Sequence, residues 1–135
     1  KSLLTYLQAG DAINMADALL TRAQLTDYSE NVNAIGDTGG GSDAIDLESG
    51  NVVTATVSTS EQTFTFTNPP GSGDAGSFTL ILTNGGSQTV NWPASVDWAG
   101  GTAPTLTAAG VDILVFTTID AGTTWYGFAA ALDAK

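Results

Sequence analysis

Short runs rich in Thr, Val and Phe, an apolar spacing of two residues, and Gly/Pro/Asn turns between the runs predict a mainly β chain. The expected form is an antiparallel β sandwich, jelly-roll-like, or a barrel, preceded by a short helical N-terminal arm. Three segments follow: a helical arm for anchoring or oligomerisation over 1–35, a Gly-rich linker over 36–43, and a β domain over 44–135. With 135 residues the chain fits one domain, long enough to bury roughly two thirds of its unfolded surface.

In the arm, Leu3, Leu4 and Leu7, then Ile13, Ala16 and Leu20, then Leu25 and Tyr28 recur at helical spacing. Asp11 suits an N-cap, and Thr21 with Gln24 forms a T-x-x-Q capping box that sets a helix start at Arg22. Each helix is too short to stand alone, so the arm must pack on its own β domain, on a second copy, or on a host assembly. Leu4, Leu7, Leu20, Leu25 and Tyr28 are therefore the expected assembly residues, and a homo-oligomer, a homotrimer, is the expected state.

The stretch GDTGGGSD reads as a linker. Asp37, Asp43, Asp46 and Glu48 bring oxygen ligands close to its glycines, but their spacing fits neither an EF-hand nor a tandem Gly-rich calcium repeat. A solvated turn explains the same residues, and neither metal nor cofactor is expected.

Beyond it, NVVTATVS, EQTFTFTN, SFTLILTN, SQTVNW, VDILVFTTI and TTWYGFAAAL are the strand runs. Phe64 and Phe66 alternate with Thr63, Thr65 and Thr67, giving one apolar and one hydroxyl-lined face. VDILVF is continuously apolar and belongs at the sheet centre, whereas the glycines of NGG at 84–86 suit a tight hairpin. Pro93 forces the chain out of its strand.

Composition removes several chemistries. The absence of Cys and His excludes disulfides, thiol and imidazole catalysis and Cys/His zinc sites. A serine or threonine nucleophile lacks an imidazole base, and no motif singles out a carboxylate pair, so no enzyme is expected. Fourteen acids against three bases give a net charge of -11, which repels nucleic acid. No apolar run is long enough for a membrane span, and no basic region followed by an apolar core suggests secretion.

Five pieces then stand together: F-x-NPP at 66–70, the SFTLIL strand, WPASVDWAGGTAPTLT, VDILVF and GTTWYGF. Over roughly 20–135 the chain resembles the small β domain of tailed-bacteriophage virion proteins of the head-fibre, decoration and tail-fibre kind. LLTRAQLTDYSE and DLESGNVV are similar to the segments leading into that domain. The resemblance implies a non-enzymatic particle component, located on the virion and assembled in the host cytoplasm. Its expected partners are further copies of itself, the major capsid protein or other virion proteins. A capsid decoration (cement) protein or short head fibre is the leading expectation. The alternatives are a tail-fibre or receptor-binding module recognising a host surface glycan, and a neck or tail subunit.

Two aromatic groups bear on that choice. Trp92 and Trp98 form either a structural corner over the end of the β domain or a platform on which a sugar ring stacks; their turn-bound spacing favours the corner. Trp125 and Tyr126 are adjacent in a strand and point to opposite faces, so one belongs to the core and the other lies outside or at a subunit contact.

Overall fold

The computed structural model describes residues 10–135. The chain is mainly β. Among the described residues nine strands form: β1 (Val32–Asp37), β2 (Gly41–Asp46), β3 (Val52–Thr56), β4 (Gln62–Thr67), β5 (Gly76–Thr83), β6 (Val90–Asn91), β7 (Val96–Trp98), β8 (Val111–Thr118) and β9 (Trp125–Ala134). They build a six-stranded sheet in the order β1-β3-β5-β8-β9-β7 and a three-stranded sheet in the order β2-β4-β6.

The expected antiparallel body is replaced by a mixed one. Through β6, consecutive strands alternate between the two sheets, and each pairs in parallel with the strand two places along. Val32, Val52 and Thr79 align across one sheet, and Gly41, Gln62 and Val90 across the other. A strand of the opposite sheet thus provides the crossover that parallel pairing requires. Antiparallel pairing is confined to β5–β8 and β8–β9.

Asn84 and the glycines after it make no hairpin. Asn84 is left-handed (φ 56°), and a 3-10 turn at Gly85–Ser87 carries the chain from the larger sheet to β6. The loop before β8 holds this turn in place: Asn84 N–H donates to Gly110 O and Gly86 N–H to Thr107 O. A Cβ on Gly86 would stand 2.1 Å from Leu106 O, so only glycine fits.

One core joins the sheets. Ile45 and Phe64 of the smaller sheet meet Val53, Phe78, Leu80, Leu114 and Phe116 of the larger, all at most 2% exposed. Thr63 and Thr65 take the opposite face of β4 from Phe64, as period-two alternation requires. β8 lies inside its sheet, between β5 and β9. β6 stops at Asn91, ahead of Pro93.

Residues 10–31 hold turns, bends and irregular chain, and no helix forms among them. The expected helix start at Arg22 is instead a left-handed residue (φ 56°). The apolar side chains that would have packed such helices lie in solvent, so nothing offsets the cost of nucleating a short helix. The Gly-rich stretch 36–43 also differs from a free linker: β1 runs to Asp37 and β2 begins at Gly41. Among the described residues no helix is long and apolar enough to cross a membrane.

Candidate functional site

Seven aromatic rings, those of Phe64, Phe66, Phe78, Trp92, Trp98, Phe116 and Trp125, gather where the two sheets meet the 92–98 segment. Trp92 stacks on Phe64 (5.6 Å between centroids, 26° between planes) and meets Trp98 edge-on at 5.5 Å. Both indoles lie 5.4 Å from the ring of Phe116. Gly127 admits this packing, since a Cβ there would come within 3.0 Å of Val96, Phe116 and Trp98. Trp92 and Trp98 are half-buried and turned onto the core. Each offset or edge-on ring contact contributes about 0.5–1.5 kcal/mol beyond the area it buries.

Trp125 is 2% exposed and packs edge-on against Phe66 at 5.3 Å and Phe78 at 5.5 Å. Tyr126, one residue on, is 51% exposed on the outer face. In the arm, Leu20, Leu25 and Tyr28 are 63%, 64% and 67% exposed, whereas Leu4 and Leu7 lie outside the described residues.

A cleft of about 570 Å³ opens between the β2–β3 and β4–β5 connections. Asp17, Glu48, Asn51, Asn68, Asp74 and Ser77 supply its polar lining. Asn68 donates to Asp46 (2.9 Å) and Asn51 to Ser77 O (2.7 Å), so both amides are already held by protein partners. Asp37, Asp43 and Asp46 take donors from within the protein. Asp37 accepts from Ser58 and Gly39, Asp43 from Gln62, and Asp46 from Glu48, Ser49 and Asn68. Among the described residues no group of three metal-ligating side chains converges.

Asp112 is fully buried inside the apolar β8 run, a position that the sequence reading passed over. Its carboxylate accepts from Thr107 N–H (2.6 Å), Thr107 Oγ1 (2.7 Å) and Asp133 N–H (3.0 Å). It therefore ties the loop before β8 to the end of β9. The available signal was an acid at an inward position of an otherwise apolar strand.

Three carboxylates sit below the ordinary value of 3.8: Asp37 chiefly through the Ser58 hydroxyl, Asp46 through the Asn68 amide, and Asp120 through the Thr124 N–H. A depressed folded value means that the unfolded chain takes up the proton first. The contribution is therefore complete above the ordinary value and is lost as pH falls through the folded one. Asp120 closes the β8–β9 turn, accepting from Thr118 Oγ1 and Thr124 N–H at 2.9 Å each. The stability gap between wild type and Asp120→Asn is expected to be constant above about pH 5 and to shrink below about pH 4 in urea titrations. A gap independent of pH would contradict the assignment.

No family model matches the chain, and neither a curated protein nor a solved structure matches it.

Proposed function

We propose that this chain is a non-enzymatic structural protein of a tailed-bacteriophage particle, a capsid decoration protein or short head fibre. In this reading the arm before β1 attaches a β body to the major capsid protein or another virion protein. The observation that carries the reading is the arm itself. Leu19, Leu20, Leu25 and Tyr28 are 63% to 85% exposed on a segment without secondary structure, leading into a body that already has its own core. Such a segment gains order and burial on a partner, binding as it folds. The five motifs resembling virion β domains support the same role.

The cleft beside Asn51, Asn68 and Asp74 favours a second reading, a receptor-binding module for a host surface glycan, because amide and carboxylate groups suit hydroxyl-rich ligands. Arm deletion separates the two. Removing residues 1–30 leaves β1 whole, so the truncated chain is expected to keep its β circular dichroism and to lose co-sedimentation with particles stripped of the protein. A folded, arm-less chain that binds particles as the full chain does would contradict the attachment role. Glycan-array binding that survives the deletion would support the second reading.

A further inference from the structure

The six-stranded sheet has one face on the core and one face turned outward. Strand register sets Val32, Val52, Thr79, Val115 and Phe128 in one row across β1, β3, β5, β8 and β9. The adjacent row carries Thr54, Ile81 and Ile113. Val32 and Phe128, at the two ends of the first row, are 57% and 49% exposed. The outward positions of β3, β5 and β8 hold no charged residue, in a chain whose net charge is -11. Carboxylates stand at the borders instead, with Asp37 at the end of β1 and Asp97 on β7. An apolar centre within a polar rim is the anatomy of a protein interface. Parallel strands such as β1, β3 and β5 are also, as a rule, covered on both faces.

We propose that this face binds the same face of a second copy of the chain. Charge selects the occupant. A basic partner drawn by the acidic surface would be held through carboxylates, and the centre of this face offers none. A second copy, equally acidic, is repelled wherever carboxylates meet, and a charge-free face is where two copies approach at least cost. Thr79 and Thr54 in these rows suit self-contact as well, since a hydroxyl both donates and accepts and so finds a match in its own kind. Area is sufficient: five strands at ~4.8 Å spacing and eight residues at ~3.3 Å rise give roughly 600 Å² per copy. A pair then buries roughly 1,200 Å², the lower bound for a specific stable interface. Self-association through this face holds wherever on a particle the chain sits, so failure of the capsid reading leaves it standing.

Sedimentation velocity of the full chain between about 1 and 100 µM tests it. The wild type is expected to associate. Val115→Glu, which sets carboxylates against one another at the centre of the face, is expected to move the association midpoint upward by at least about a hundredfold. Thr65→Glu, on the outer face of the three-stranded sheet, is expected to leave it unchanged. Because the chain has no cysteine, Thr79→Cys introduces a single thiol. A bismaleimide spanning about 10 Å, the spacing of packed sheets, is expected to join that variant into dimers but not Thr65→Cys. The thiol pair decides the matter should Val115→Glu fail to fold. A wild type that stays monomeric at the highest concentration, a folded Val115→Glu that associates unchanged, or equal cross-linking of the two cysteine variants would each overturn the proposal.

Discussion

Trp125→Ala is expected to cost about 3–5 kcal/mol of folding stability, the range for emptying a fully buried aromatic site. The indole is 2% exposed and braced by Phe66 and Phe78, and Phe78 in turn stacks on Phe116 at 4.9 Å. Rings held by other rings cannot all close over the void, so the cavity survives relaxation and its cost adds to the lost burial. In a domain of this size the loss corresponds to a fall in melting temperature on the order of ten degrees or more. Trp92→Ala should cost less, because half-buried Trp92 has less area to lose. Urea denaturation of the two variants checks the order. A Trp125→Ala protein as stable as wild type, or less affected than Trp92→Ala, would mean that the 92–98 corner and not the sheet interior holds the fold.

Asp112→Ala is expected to cost a similar amount, about 3–5 kcal/mol, for a different reason. Removing the carboxylate takes the acceptor from two backbone N–H groups and one hydroxyl in a site with no exposure, and each orphaned donor costs about 1–3 kcal/mol. Asp112→Asn should cost less, about 2 kcal/mol, since one oxygen remains to accept while the new amide faces Thr107 N–H as donor against donor. Equilibrium unfolding of both variants tests this, and hydrogen exchange at Thr107 and Asp133 localises it. An alanine variant within about 0.5 kcal/mol of wild type would show that the carboxylate is dispensable.

Strand content was legible because the side-chain alternation is local. Phe64 and Phe66 against Thr63 and Thr65 define two faces whichever strand lies alongside, and the unbroken VDILVF run marked the interior of a sheet. Pairing direction was not legible for the same reason: a period of two is identical for parallel and antiparallel neighbours. What distinguishes them is where the turns lead. Asn84 and Gly86 guide the chain to the opposite sheet because their partners are Gly110 and Thr107, distant in sequence. In the arm the leucine spacing satisfies a helical template, but without a packing surface nothing offsets the cost of nucleation. The outer face of the larger sheet was half visible: Val111, Ile113 and Val115 are apolar at the positions opposite Leu114 and Phe116, a doubling that simple core burial explains equally well. Asp112 was visible as a residue but not as a tie, because its donors come from two other segments.

Electron cryo-microscopy of a particle carrying the chain tests the central claim, that a self-contained β body is held on a virion by its N-terminal arm. The account predicts β-rich density outside the capsid shell, joined to it through residues of the arm, with copies in contact through the charge-free face of the larger sheet. Density in which the arm is free in solvent and the β body itself is seated on the shell through the three-stranded sheet would contradict it.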